Sequence, residues 1–191
     1  VLDRWRLARA GEGQIVTVIG EAGIGKSRIV EALQEQIAPE PHNRIHLQCS
    51  PHHSDSALYP VIQHLGRAAG FDALDAPEAR RYKLAALFPA AALPLAAELM
   101  SLSAETLPRT PAQRKAATIA LLVDAIVRLG DEAPVLLILE DAHWIDATTL
   151  ELTTRLADSI ASARLLAVVT ARPDFAPPWQ ARPHASLLTL G

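Results

Sequence analysis

The sequence has little of several features that identify common classes of protein. Its single cysteine, Cys49, excludes an internal disulfide framework and is typical of a reducing compartment. No apolar run approaches the ~20 residues that are needed to span a bilayer, and no signal peptide precedes the first predicted strand. We therefore expect a cytoplasmic protein without a membrane-spanning segment.

The chain also lacks an excess of charge of either sign and is poor in aromatic residues. Its 18 Lys and Arg residues are opposed by 21 Asp and Glu residues, which leaves a net charge of −3. This balance offers no global basic surface for nucleic acid or for an anionic membrane, so we expect this domain to bind neither directly. Aromatic residues make up 4% of the chain while half of it is hydrophobic, a composition that favours a helix-rich globular domain.

The length of 191 residues corresponds to about one domain. Met100 is the only methionine, and the chain begins at Val1. We therefore expect residues 1–191 to be a single domain taken from a larger multidomain protein.

A glycine-rich turn near the N-terminus carries the strongest chemical signal. Apolar residues 15–19 predict a buried strand, a turn follows, and a helix is predicted to open at Lys26. The pattern G-x-x-x-x-G-K-[ST] is complete at Gly20, Gly25, Lys26 and Ser27. In this strand, turn and helix context the backbone N–H groups and the helix dipole point at a phosphate, which predicts a nucleotide site.

Each residue type in this loop has a predicted role. Lys26 reaches the β- and γ-phosphates, and the Ser27 hydroxyl is a ligand of Mg²⁺. The residues predicted to bind the nucleotide are Gly20, Glu21, Ala22, Gly23, Ile24, Gly25, Lys26, Ser27 and Arg28.

Four further strands are predicted along the chain. Residues 135–139 and 165–169 are entirely apolar, which is typical of strands buried on both faces of a parallel sheet. Residues 44–50 and 186–190 are also predicted to be strands. The unit from residue 15 to residue 49 has the length of a βαβ crossover.

Helices are predicted between these strands. One covers residues 58–69, capped by Ser54 or Ser56 and stopped at Gly70, and a strong one runs from Thr110-Pro111 to Gly130. Short helices broken at Pro89 and Pro94 are predicted between 77 and 107, and another helix at 148–160.

The alternation predicts an α/β fold: a three-layer core with a mainly parallel five-stranded sheet, helices on both faces and a helical insertion around 54–130.

Two carboxylates follow the predicted strand at 135–139. Ligands of parallel sheets gather at the carboxyl ends of the strands, so Glu140 and Asp141 should lie near the phosphate loop. Burying an ion is costly unless something compensates, and Mg²⁺ would do so. We interpret the pair as a Walker B element in which Glu140 serves the metal and Asp141 both borders the metal and activates the attacking water. Aspartate is more usual at the first place, and the alternative is a solvated acidic turn.

Arg172 closes the predicted strand at 165–169. One interpretation is an arginine aimed at the γ-phosphate, where it distinguishes triphosphate from diphosphate and stabilises the transition state. The other is a pair with a surface carboxylate.

Three residues after the acidic pair are also candidates. His143 either touches water or the γ-phosphate or only packs in its loop. For Trp144 a packing role is favoured over a base-stacking role, and Asp146 is expected to cap the next helix.

A zinc site and a trans-acting arginine have less support. Cys49, His52 and His53 supply too few ligands at a recognisable spacing for zinc. The cations Arg109, Arg114 and Lys115 fit a solvated helix face better than an arginine acting on a neighbouring protomer.

Several motifs together resemble one family. The runs Gly-Glu-x-Gly-Ile-Gly-Lys-Ser, Leu-Glu-Asp-x-His-Trp-x-Asp and Thr-x-Arg-Pro are similar to those of STAND-type signal-transduction ATPases, relatives of the AAA+ ATPases. Cys49-Ser-Pro-His and Leu58-Tyr-Pro-Val-Ile resemble the bacterial branch that is fused to nucleotide cyclase, LuxR-type DNA-binding or kinase domains. Members usually carry an upstream Gly-Arg-Glu motif and a downstream lid, and this sequence shows neither, so we expect it to bind nucleotide more weakly than a longer parent would.

The resemblance implies an ATP- and Mg²⁺-dependent hydrolase that works as a slow regulatory switch on attached effector domains, with nucleotide-dependent self-association as a further expectation. It implies that residues 20–27 bind phosphates, that Glu140 and Asp141 serve Mg²⁺ and hydrolysis, and that Arg172 is the sensor. Two other hypotheses remain. One is a non-hydrolysing nucleotide-binding scaffold for protein assembly. The other is a small-molecule kinase, for which the sequence shows no recognisable pocket for the phosphate acceptor.

Overall fold

Five strands form one sheet in which every neighbouring pair is parallel. The computed structural model describes residues 1–103 and 108–191. In that part of the chain the strand order is β2-β3-β4-β1-β5. The strands are β1 (Gln14–Ile19), β2 (Asn43–Gln48), β3 (Val135–Glu140), β4 (Leu165–Ala171) and β5 (Ala185–Thr189). The predicted five-stranded parallel sheet is confirmed.

Helices cover both faces of the sheet, as predicted. They are α1 (Leu2–Arg9), α2 (Lys26–Ile37), α3 (Tyr59–Ala68), α4 (Pro77–Leu84), α5 (Leu93–Leu99), α6 (Pro111–Glu132) and α7 (Ala147–Ser159). Two short 3₁₀ turns, Pro51–His53 and Ala142–Trp144, follow β2 and β3. Among the described helices, none is long and apolar enough to cross a membrane.

The apolar run of β3 supplies both halves of the core. Side chains alternate along a strand, so Leu136 and Ile138 face one cluster while Leu137 and Leu139 face the other. The first cluster is completed by buried residues of α1 and α2, and the second by α3, α6 and α7. A strand with helices on both sides has no solvated face, so apolar and polar residues do not alternate along β3 and β4.

The order of the strands decides which chain segments meet at the carboxyl edge. β1, α2 and β2 form a crossover as predicted, but β3 and β4 lie between β1 and β2. β4 pairs with β1 on one side and with β3 on the other. The loops that leave β1, β4 and β3 are therefore neighbours.

Helix α3 begins differently from the prediction. Neither Ser54 nor Ser56 caps it: Leu58 occupies the N-cap position with a left-handed backbone (φ 58°), and its N–H donates to the carboxylate of Asp146 at 3.2 Å. This contact comes from 88 residues away, so local sequence could not indicate it. The stop at Gly70 (φ 67°) is confirmed.

Two other predicted boundaries are wrong. Helix α6 continues past Gly130 to Glu132, so the glycine does not end it. A side chain at Gly130 would make only ordinary contacts with Arg164. Pro94 lies in the first turn of α5, where its missing N–H costs no helical hydrogen bond, and so it does not break the segment. The end of the predicted helical stretch, residues 104–107, lies outside the described residues.

Candidate functional site

The phosphate loop joins β1 to α2 and needs glycine at three places. Gly23 (φ 80°) and Gly25 (φ 107°) have left-handed backbones, and Gly25 is the N-cap of α2 without any side-chain acceptor. At Gly20 the reason is space, because a Cβ atom there would lie 2.7 Å from the Ile24 side chain. The backbone N–H groups in the first turn of α2 are therefore available as donors to a phosphate bound in this loop.

Lys26 is folded over this loop. Its side chain is buried, and its Nζ donates to the carbonyl oxygens of Gly20 at 2.8 Å and Glu21 at 2.9 Å. An ammonium group has three donors. One of them therefore remains for a phosphate oxygen, with the lysine already positioned by the loop that would hold the phosphates.

Glu140 ends β3 and is held by a hydrogen bond with His46. His46 Nε2 lies 2.7 Å from Glu140 Oε2. The hydrogen bond from His46 lowers the pKa of Glu140 against the opposing effect of burial, and a hydrogen bond from Ser27 adds to the lowering. The carboxylate is thus ionised, the imidazole is the donor, and the hydroxyl of Ser27 meets the first of the two acidic residues.

Asp141 turns the chain sharply at the end of β3. Its backbone is left-handed (φ 55°, ψ 43°), and its N–H donates to Thr170 Oγ1 at 3.1 Å. Its Oδ2 accepts a hydrogen bond of 2.8 Å from Gln48 Nε2. The side chain is half-buried. Asp141 is therefore fixed through β4 on one side and through β2 on the other.

His46 and Gln48 were not predicted as site residues. They alternate along the edge strand β2, and Gln48 is in register with Glu140. Two polar residues spaced by two in a strand are a usable signal. That signal becomes specific only when β2 is known to pair with β3, which the sequence does not show.

Arg172 follows β4 directly and is exposed. Its guanidinium carbon lies 5.6 Å from the centroid of the Trp144 ring. In the described part of the chain it makes no ion pair, so the predicted alternative of a surface pair is not seen. Trp144 packs against the core, as predicted, and holds the arginine by a cation–π contact.

Asp146 caps α7 as predicted. It is buried, its Oδ1 accepts from the N–H groups of Thr148 and Thr149 at 2.9 Å each, and its Oδ2 contacts the Thr149 hydroxyl. The same Oδ1 accepts the Leu58 N–H. A single carboxylate therefore joins the loop after the acidic pair to the start of α3.

The structure gives no support to the zinc interpretation. Burial raises the pKa of the Cys49 thiol to about 12, with the charges of Asp146 and Asp141 adding to the shift. Such a thiol stays protonated and is a poor metal ligand. Across residues 1–103 and 108–191, no group of three or more His, Cys, Asp or Glu side chains is arranged to hold a metal ion.

The cations near the start of α6 belong to its surface. Arg114 pairs with Glu98 at 2.7 Å and Lys115 with Glu151 at 2.7 Å. Arg109 is exposed. These contacts favour the solvated helix face, as expected from the sequence.

An apolar cavity of about 550 Å³ lies away from this site, between β2, α3 and α6. None of the predicted site residues lines it. Its walls are mainly aliphatic, with His64, Asp124 and Arg128 among the few polar groups. The predicted nucleotide site is instead an open edge with fixed charges.

Comparison with known proteins decides the family. The family model described as an AAA ATPase domain matches residues 1–169. The chain belongs to the AAA ATPase domain family. An AAA ATPase domain is a nucleotide-binding ATPase domain of the P-loop type, and the loop at residues 20–27 lies within the matched range. The match ends inside β4, so β5 and Arg172 lie beyond it.

This AAA domain is also similar to parts of two longer proteins. An uncharacterized protein of Rhizobium meliloti (strain 1021) is 29% identical over 198 residues, a match that covers 97% of this chain and 19% of that protein. The crystal structure of a Signal Transduction ATPase with Numerous Domains (STAND) protein with a tetratricopeptide repeat sensor, from Pyrococcus horikoshii, is similar over 100% of this chain and 22% of its own. That similarity has a TM-score of 0.46 at 15% identity, which is too low to support a conclusion.

Proposed function

We propose that this AAA domain binds ATP with Mg²⁺ and hydrolyses it slowly as a regulatory switch. The observation that carries the proposal is the gathering of Ser27, Glu140, Asp141 and Arg172 around one phosphate loop, at the carboxyl ends of β1, β3 and β4. Nucleotides bind at this edge of open parallel sheets. The backbone of residues 20–28 would hold the phosphates, with Lys26 neutralising their charge.

The residues present fit Mg²⁺. Proteins bind this ion through one or two carboxylates, a hydroxyl and the phosphates of the substrate, and leave several waters in place. Ser27 and Glu140 supply a hydroxyl in contact with an ionised carboxylate, and Asp141 follows directly. When bound, Mg²⁺ neutralises charge that develops on the phosphates. Ser27 and Glu140 would hold it, and Asp141 would border its water shell.

Asp141 is the proposed acceptor for the proton of the attacking water. The hydrogen bond from Gln48 restrains the carboxylate, and the hydrogen bond from the Asp141 N–H to Thr170 fixes the backbone that carries it. A fixed carboxylate beside the terminal phosphate orients a water molecule at small entropic cost. Arg172, held on the Trp144 ring, would face the charge that develops on the γ-phosphate.

The regulatory part of the proposal rests on the STAND-like motifs. Such ATPases couple a nucleotide state to attached domains, so we propose that this AAA domain controls an effector elsewhere in its parent chain. The chain spans 19% of the length of the curated relative that it matches, which leaves room for such domains. We retain the prediction that residues 1–191 form one ATPase domain with a helical insertion around 54–130.

A non-hydrolysing scaffold is the second candidate function. Glu140 stands where aspartate is usual, and His46 engages the carboxylate that Mg²⁺ would need. A domain of this kind would bind nucleotide to stabilise an assembly without turning it over.

Phosphate release separates the two candidates. We expect wild-type turnover well below the ~10 s⁻¹ of a typical enzyme. Asp141→Asn keeps a residue type that tolerates the left-handed backbone, and we expect it to lose about 10²- to 10⁴-fold of the rate with ATP binding retained. Asp158→Asn, at a surface ion pair with Arg182, is the matched control. Tight ATP binding with no phosphate release by the wild type would support the scaffold instead.

A further inference from the structure

His143 has no hydrogen-bond partner although its polar atoms are buried. Both ring nitrogens lie out of contact with solvent, and neither bonds to any of the described residues. Three other histidines do have partners: His46 with Glu140, His42 with the Glu40 carbonyl and His184 with the Ala157 carbonyl. Leaving a buried polar group unpaired destabilises a protein, so such a group calls for an explanation.

The surroundings of the His143 ring are those of the proposed γ-phosphate site. Burial chiefly, and then the positive charge of Arg172, lower the pKa of His143. Lys26 acts in the same direction, while Asp141 and Asp174 oppose it. These are the charged groups that face the ring from the phosphate loop, the acidic pair and the end of β4. A histidine ring has two nitrogens, of which one donates and the other accepts in the neutral form.

Neighbouring side chains fix where the ring lies. His143 belongs to the 3₁₀ turn Ala142–Trp144, directly after Asp141. Its ring centroid is 5.2 Å from that of Trp144, and the same indole carries the Arg172 guanidinium. His143 and Arg172 therefore both lie against Trp144, and the charges of Lys26 and Asp141 also act on the His143 ring.

We propose that His143 is a ligand of the terminal phosphate of the bound triphosphate and donates a hydrogen bond to it from one ring nitrogen. The proposal rests on the nucleotide site described above and adds a second residue, beside Arg172, that distinguishes triphosphate from diphosphate. A phosphate oxygen is an acceptor that would satisfy the unpaired donor. If His143 only packed, an apolar ring would fill the same space without the free-energy cost of desolvating two unpaired nitrogens.

Two substitutions at His143 test the assignment. His143→Phe keeps a ring and removes the donor, whereas His143→Asn keeps a donor on a smaller side chain. The measurements are the affinities for a non-hydrolysable ATP analogue and for ADP, both with Mg²⁺, and the midpoint of thermal unfolding without nucleotide. His184→Phe is the matched control, because it removes a histidine whose nitrogen already has a partner.

For His143→Phe we expect affinity for the ATP analogue to fall about tenfold to a hundredfold, the range for a hydrogen bond to a charged group. ADP affinity should stay within about twofold of wild type, because ADP lacks the group that is contacted. Thermal stability should stay equal or rise, since an unpaired polar group is removed. His143→Asn should keep most of the ATP preference. His184→Phe should lose stability and keep the preference.

Three results would overturn the proposal. Equal losses for the ATP analogue and ADP in His143→Phe, together with a lower unfolding midpoint, would show a packing residue. An unchanged preference for ATP in His143→Phe would show that the phosphate does not contact the ring. If the wild type binds ATP and Lys26→Ala abolishes that binding, the proposed nucleotide site would still stand. Absence of any ATP binding by the wild type would overturn both the site and this assignment.

Discussion

The guanidinium of Arg172 lies over the indole ring of Trp144, 5.6 Å from its centroid, with no carboxylate competing for it among the described residues. An arginine held by an aromatic face stays positioned while its N–H donors remain free. This arrangement suits a residue whose partner is present in only one nucleotide state. It also gives Trp144 a positioning role beside its packing role.

Removal of this arginine should therefore act selectively on the triphosphate. We expect Arg172→Ala to weaken binding of an ATP analogue by about tenfold or more and to leave ADP binding nearly unchanged. Titration calorimetry with both nucleotides measures the ratio. Arg182→Ala, at a surface ion pair, is the control. An ATP preference that survives Arg172→Ala would show that the sensor assignment is wrong.

Cys49 lies beside the site but should be chemically silent. Burial raises the pKa of its thiol from an ordinary value of 9.0 to about 12. At pH 9 about one native molecule in a thousand then carries the thiolate, against about half of the unfolded molecules. Because the folded state holds its proton more tightly, this group's contribution to stability is complete below pH 9 and is lost as the pH rises from 9 towards 12.

A thiol-specific reagent tests this directly. At pH 8 we expect Cys49 to react at a rate set by unfolding, and to react quickly once denaturant is added. Protein held folded by ATP should react more slowly still. Rapid stoichiometric labelling of the native protein would contradict the burial and the pKa shift.

At the scale of elements, Asp146 joins two helices that are far apart in sequence. It caps α7 and also accepts the N–H that opens α3. Its removal would leave the Leu58 N–H and the Thr149 hydroxyl without their acceptor inside the protein. The cost therefore exceeds that of an ordinary cap.

We expect Asp146→Ala to lower the free energy of unfolding by about 2 to 4 kcal/mol. Thr110→Ala removes a capping box at the exposed start of α6 and should cost about 1 kcal/mol. Denaturant titration of both variants gives the comparison, with unchanged m-values as the check on two-state unfolding. Equal losses in the two variants would show that the link to Leu58 contributes nothing.

The elements show how far the sequence determines this fold. The strands β3 and β4 and the helix that opens at Lys26 were predictable, because their apolar runs and the glycine pattern are local. The order of the strands was not, since nothing local shows that β3 and β4 lie between β1 and β2. The start of α3 was missed because its cap is supplied by a residue distant in sequence.

The same division holds for the site. The glycine loop, the acidic pair and Arg172 were predicted because each directly follows a strand, and parallel strands bring their carboxyl ends together. His46 and Gln48 were missed because their role depends on the pairing of β2 with β3. Local sequence patterns therefore predicted the groups that are proposed to contact the nucleotide. The residues that position those groups could be identified only from the pairing of the strands.

At the scale of the whole molecule, the fold of this AAA domain places one cradle, two carboxylates and one arginine at a single edge of the sheet. The contact from Asp146 to α3 joins that edge to the helices of the 54–130 region. The loop after Asp141 and the start of α3 are therefore held together by one carboxylate.

Binding of ATP and its dependence on Lys26 test the central claim most directly. The measurement is calorimetric titration of the purified protein with ATP and Mg²⁺, for wild type, Lys26→Ala and Lys83→Ala. Lys83 is a matched control, because its Nζ also donates to a backbone carbonyl, that of Gly70, far from the site. We predict that wild type and Lys83→Ala bind alike and that Lys26→Ala loses about a hundredfold or more in affinity. A folded Lys26→Ala protein that binds ATP as the wild type does would contradict the account.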